Sequence, residues 1–175
     1  MSSLLTQNFY ELFRLSPSYS IDNGELAIRY RELQQAVHPD RFVTAADAER
    51  RVSMQLAAHV NEAYQTLKHP LSRARYLLEI YGVNTDHGAN LSNDFLVEQM
   101  ELRERLENLV GESQPLVTLM DLRDDLENRL RDLQQTFASH VDSKELDLAL
   151  CVFNKMQFFY RLQEELDQKE EQLSE

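Results

Sequence analysis

Residues 33–42 read LQQAVHPDRF. Proline at 39 disfavours the α conformation for His38 and offers no amide hydrogen, so a helix arriving from upstream must stop near Val37. That upstream helix has a clear start. Asp22 is a good N-cap, and Glu25 stands three residues later in capping-box position. At 100° per residue, Leu26, Tyr30, Leu33 and Val37 fall within about 40° of one line and form a core face. Ile28, Arg31 and Gln35 point the opposite way, with Arg29 on a flank, which leaves a polar, partly cationic outer surface. Downstream, residues 45–67 repeat the pattern with Val52, Leu56, Val60, Ala63 and Leu67. Two such helices joined by a short connection make an antiparallel hairpin, and HPD is its turn.

The turn admits two readings from its own residues. In the local one, His38 complements the negative helix end, Pro39 stops the helix and Asp40 makes a turn hydrogen bond. In the functional one, His38 and Asp40 carry chemistry. An acid/base role lacks support, because no nucleophile, glycine-rich phosphate cradle or metal cluster accompanies them. The five histidines, at 38, 59, 69, 87 and 140, show no two-ligand helical spacing. His59 falls on the core side of its helix and reads as a satisfied, partly buried histidine. Neither an enzyme nor a metal site is expected.

Four glycines and four prolines in 175 residues, with 42% hydrophobic content, predict an all-α protein with a real core. No apolar run reaches the roughly 18 residues that a membrane helix needs, and MSSLLTQNFYELF lacks the basic start of a signal peptide. A cytoplasmic location with no membrane partner is the expectation. The single cysteine, Cys151, excludes an intramolecular disulfide or a cysteine-built zinc site. Charge is unevenly distributed. Residues 1–80 hold nine Lys/Arg and nine Asp/Glu, whereas 81–175 hold nine and twenty-one, so the net −12 lies in the second half. That half is unsuited to nucleic acid or an anionic membrane.

The charge step coincides with YGVNTDHGANLSND at 81–94, whose glycines and asparagines break helical periodicity. We therefore expect modules at 1–80 and 93–175 around a junction at 81–92. Within 113–137, Leu119, Leu122, Leu126, Leu130, Leu133 and Phe137 form a packing seam. Residues 142–172 are apolar on two faces, with Leu146, Leu150, Phe153 and Tyr160 on one and Leu148, Val152, Phe159, Leu162 and Leu166 on the other. Such a helix needs two neighbours, and residues 92–110 supply the third member of a three-helix bundle. On that helix Phe95, Leu102, Leu106, Leu109 and Val110 gather into a core stripe. Leu96, Val97 and Met100 lie outside it, beside Glu101 and Glu104. They form either a protein-binding patch or a contact with a neighbouring helix.

The outward basic helix face, HPD, then Arg41 and Phe42, and finally VNEAYQTLKHPLSRARYLL together resemble the J-domain over residues 8–80. That likeness implies an antiparallel hairpin with flanking short helices. It also implies that His38, Pro39 and Asp40, with Arg29, Arg31 and Arg41, engage a DnaK-class chaperone ATPase. The glycine/phenylalanine linker and cysteine-rich zinc region of ordinary J-proteins are absent from the sequence. A J-domain followed by an acidic bundle opening on FLVEQMELRERL resembles instead the HscB-type co-chaperones of iron-sulphur cluster assembly, over the full chain. The missing N-terminal cysteine site of eukaryotic relatives suggests the bacterial type.

This second likeness implies binding of an IscU-type scaffold and its delivery to an HscA-type chaperone. Leu96, Val97, Met100, Glu101, Glu104 and Phe158 match the scaffold-binding positions. Val97 stands where some relatives carry the longer methionine. Phe158 lies at an intermediate angle on a helix apolar nearly all round, so plain core is its alternative reading. No cofactor is implied for the chain itself. The competing expectations are a J-protein serving a different folded client and a direct metallocofactor carrier, the latter poorly served by one cysteine.

Overall fold

A computed structural model of the chain describes residues 2–38, 46–86, 91–109 and 114–174. Every regular element among them is helical, as the composition predicts. The chain divides into two compact units, Met1–Leu77 and Leu78–Glu175.

In the first unit, a 3-10 turn at Ser2–Thr6 precedes the short helix α1, Phe9–Leu12. Asn8 and Glu11 close a reciprocal capping box at its start: Asn8 Oδ1 accepts from the Glu11 amide at 2.9 Å, and Glu11 Oε2 accepts from the Asn8 amide at 3.1 Å. Arg14 then takes a left-handed conformation, φ 54°, as the helix ends. Helix α2, Asn23–Val37, starts as expected on Asp22, whose Oδ1 accepts from the amides of Gly24 and Glu25. Glu25 does not return the bond expected of a capping box. Its carboxylate pairs with Arg29 one turn on.

Helix α3, Asp47–Lys68, packs along α2, and α4, Pro70–Ile80, follows after the extended His69. Leu26, Val37, Leu56, Val60, Ala63 and Leu67 are buried between them, each contributing about 1–3 kcal/mol by leaving water. One core position differs from expectation. Val52 is only partly buried, and Ser53 is fully enclosed. The seam thus runs 53, 56, 60, 63 and 67, because a side chain on a helix leans toward the preceding turn.

The second unit begins with the end of α4. Gly82 adopts φ 77°, the left-handed geometry that closes a helix, and the Val83 amide donates to the Leu78 carbonyl at 3.0 Å. Residues 87–90 of the expected junction lie outside the described segments. Helix α5, Asn93–Asn108, is capped by Ser92, whose hydroxyl accepts from the Phe95 amide. Helix α6, Pro115–Asp142, carries the predicted seam, with Leu119, Leu122, Leu126, Leu130 and Phe137 buried and Leu133 packed at the margin. Left-handed Lys144 turns the chain into α7, Leu146–Ser174. Val152, Phe153, Phe159, Leu162 and Leu166 are buried as expected.

Leu148 corrects the two-face assignment. It is half exposed, and Ala149 takes the inward position in that turn. Phe95, Leu102, Leu106 and Leu109 face the core of the bundle, while Val110 falls outside the described residues.

Candidate functional site

Two groups of predicted site residues stand on different units, and each is positioned by its own local chemistry. The first surrounds the end of α2. His38 is exposed and takes φ −59°, ψ 130°, the extended geometry that a following proline imposes. Arg31 and Gln35 are exposed about two turns and one turn before it, so positions 31, 35 and 38 share the outward face. The Arg31 Nε donates to the Ala27 carbonyl at 3.1 Å, which lays the side chain along its own helix. Pro39, Asp40 and Arg41 lie outside the described residues.

Arg29 behaves differently from Arg31. One terminal nitrogen donates to the Phe13 carbonyl at 2.6 Å and to the Arg14 carbonyl, while the other pairs with Glu25. Its guanidinium therefore satisfies the carbonyls that α1 leaves unpaired at its end. Of the arginines expected to meet a partner, Arg29 fastens α1 to α2, and Arg31 faces outward. The Glu25–Arg29 spacing made part of this arrangement readable from sequence.

Sequence reasoning missed Ser53. Its hydroxyl donates to the Val37 carbonyl at 2.8 Å, inside the core and next to His38 in the chain. The available signal was a hydroxyl residue in register with a leucine-valine seam, opposite a helix end that proline leaves unpaired. His59 also departs from expectation. Its ring packs edge-on to Phe9 at 5.5 Å, and its buried Nε2 finds no hydrogen-bond partner among the described residues.

The second group lies on α5. Leu96, Val97 and Met100 are 45%, 54% and 72% exposed, while Phe95 and Leu102 on the same helix are buried. Glu101 and Glu104 are exposed beside them and form no ion pair among the described residues. Glu98 pairs with Arg129, which also holds Asp125 at 3.0 Å, so this carboxylate clamps α5 to α6. The outer face of α5 is thus an apolar ridge with an acidic margin, on a helix tied to α6 through Glu98. A surface of that make-up suits a partner with apolar side chains and basic groups.

Phe158 belongs beneath this surface. It is 7% exposed, and its ring meets Phe95 and Phe159 edge-on at centroid distances of 5.8 and 5.3 Å. The Arg103 guanidinium lies 5.5 Å from its centroid. The structure thus places Phe158 among the core aromatics that support α5, apart from the exposed ridge with which it was grouped. Helical angle alone left that choice open because α7 is apolar nearly all round.

Among the described residues, no group of three or more His, Cys, Asp and Glu is placed to hold a metal. No described helix is long and apolar enough to cross a membrane.

Comparison with known proteins bears on the whole chain. Residues 91–167 match the family model described as the HSCB C-terminal oligomerisation domain. The co-chaperone protein HscB homolog of Shewanella loihica is 39% identical over 95% of this chain and 99% of its own length. Chaperone HscB from Vibrio cholerae superposes with a TM-score of 0.88 at 35% identity, covering 95% of this chain and 99% of that one. Human co-chaperone protein HscB gives a TM-score of 0.85 at 27% identity, over 94% of this chain and 83% of its own.

Proposed function

The chain belongs to the HscB family of co-chaperones, and from that membership we propose that it carries an IscU-type iron-sulphur scaffold to an HscA-type chaperone and stimulates that chaperone's ATPase. The carrying observation is the exposure of Leu96, Val97 and Met100 on a helix whose other face is fully used by the core. In this reading, apolar side chains of the scaffold cover the ridge. Glu101 and Glu104 meet basic groups on the scaffold, which speeds encounter and fixes its orientation. Phe95 and Phe158 hold the ridge rigid from below.

The turn after α2 makes the second contact. Arg31 and Arg41 meet acidic groups of the chaperone, and His38, Pro39 and Asp40 engage it where its two nucleotide-linked states differ. A co-chaperone accelerates hydrolysis only by favouring one of those states, so bond cleavage is the partner's chemistry. The cytoplasm is the proposed compartment, in keeping with a chain that carries a single cysteine.

The test is the steady-state ATPase rate of an HscA-type chaperone with this chain, with its His38→Gln variant, and with and without scaffold. Stimulation that disappears in the variant and rises with scaffold is expected. Stimulation indifferent to scaffold would overturn the client assignment and point to another folded partner. No stimulation would reduce HPD to a helix stop.

A further inference from the structure

We infer that Ser53 is a positioning residue for His38, holding the end of α2 in the orientation that presents the imidazole to a partner. The inference rests on the proposed chaperone contact at this turn. Val37 is the last residue of α2, and its carbonyl is one of those a helix end leaves without an amide donor. The chain cannot extend the helix to supply one, because Pro39 forbids it. Ser53 supplies the donor from α3: its hydroxyl lies 2.8 Å from that carbonyl, and the serine is completely enclosed. The next residue is His38, extended and exposed.

The middle of the same hairpin is held by other means. Tyr30 hydrogen-bonds Asn61, and its ring stacks on Tyr64 at a centroid distance of 4.0 Å. Ser53 acts instead at the last turn of α2, where losing a buried hydrogen bond weakens the hold on the carbonyl before His38 and lets that turn open more often. An opened last turn lets His38 point many ways, of which one suits the partner. Apparent affinity then falls by the fraction of molecules that remain correctly arranged, while the complex once formed is unchanged.

Valine and threonine have nearly the same shape and differ in the hydroxyl, so Ser53→Val and Ser53→Thr separate the bond from the packing. With the full chain, Ser53→Ala and Ser53→Val should raise the concentration giving half-maximal ATPase stimulation by roughly two- to tenfold at unchanged maximal stimulation. Ser53→Thr should recover most of the loss that Ser53→Val shows. Hydrogen exchange, which needs no chaperone, should speed up at the amides of 36–38 in Ser53→Ala and stay unchanged in the first turns of α2. Equal impairment of Ser53→Val and Ser53→Thr would overturn the inference, as would unaltered exchange at 36–38. Unchanged half-maximal concentrations in the Ser53 variants, alongside a His38→Gln chain that no longer stimulates, would overturn it while leaving the proposed function intact. Faster exchange at 36–38 in Ser53→Ala, together with a parent chain that fails to stimulate, would confirm the tether and sink the chaperone contact.

Discussion

Replacing both Leu96 and Met100 by alanine tests the α5 ridge most directly. Full burial of a leucine or methionine side chain is worth about 1.5–3 kcal/mol. Met100 is 72% exposed and Leu96 45%, so a partner covering them gains about 1–2 and 0.7–1.4 kcal/mol respectively. Ordering the flexible methionine costs about 0.5–1.5 kcal/mol of that gain. The two residues are neighbours on one face and share contacts, so their losses need not add. A combined loss of about 1–2 kcal/mol follows, or roughly 5- to 30-fold in dissociation constant.

Isothermal titration of an IscU-type scaffold into parent and variant measures it. Exposed substitutions of this kind change stability by about 0.5 kcal/mol or less, so thermal unfolding should be nearly unaltered. Helix α6 supplies an internal control, since Leu116, Val117 and Met120 repeat the residue types and spacing of Leu96, Val97 and Met100 and are similarly exposed. Leu116→Ala with Met120→Ala should leave scaffold affinity alone. An unchanged dissociation constant in the α5 variant, or an equal loss in the α6 control, would refute the site assignment.

The arginines near the α2 turn should separate by assay. Arg29→Ala leaves the Phe13 and Arg14 carbonyls without their donor and should cost about 1–2 kcal/mol in urea unfolding, whereas Arg31→Ala should cost under about 0.5 kcal/mol and instead raise the concentration for half-maximal ATPase stimulation. Phe158→Ala empties a buried aromatic site and should destabilise the bundle by about 3 kcal/mol or more, with any loss of scaffold affinity tracking the fall in melting temperature. A large affinity loss at unchanged stability would return Phe158 to the contact surface.

What the sequence disclosed was whatever repeats with helical period. The hairpin, the α6 seam and the core stripe of α5 each rest on several apolar residues whose spacing leaves one geometry, and Leu96, Val97 and Met100 became visible as apolar residues left over from such a stripe. Single polar contacts between elements carry no period. Whether Arg29 or Arg31 turns inward depends on where α1 ends, and the Ser53 hydroxyl matters only because the Val37 carbonyl arrives opposite it. Val52 and Ser53 are both tolerable positions on a helix wheel; the lean of side chains toward the preceding turn chose between them. Helical angle puts Leu148 on the wrong side and leaves Phe158 open for a related reason, since a nearly all-apolar helix offers too little polar contrast to fix its rotation.

The division between periodic and solitary features also separates the structural roles in the proposed mechanism. A ridge made of several partly exposed apolar residues can lose one and still bind, because its affinity is spread over area, and neighbouring carboxylates mainly tune encounter. The α2 end works differently: a buried hydroxyl satisfies the carbonyl of its last residue, directly before His38. Substitutions on α5 should therefore weaken binding in steps. Those at the turn should act through the fraction of molecules holding His38 in the required direction, raising the concentration needed while leaving maximal stimulation unchanged. In the proposed mechanism, a scaffold bound to the ridge would raise its own effective concentration at the chaperone without any change at the turn. Scaffold-dependent enhancement and basal stimulation are thus separable quantities, and a variant that alters one need not alter the other.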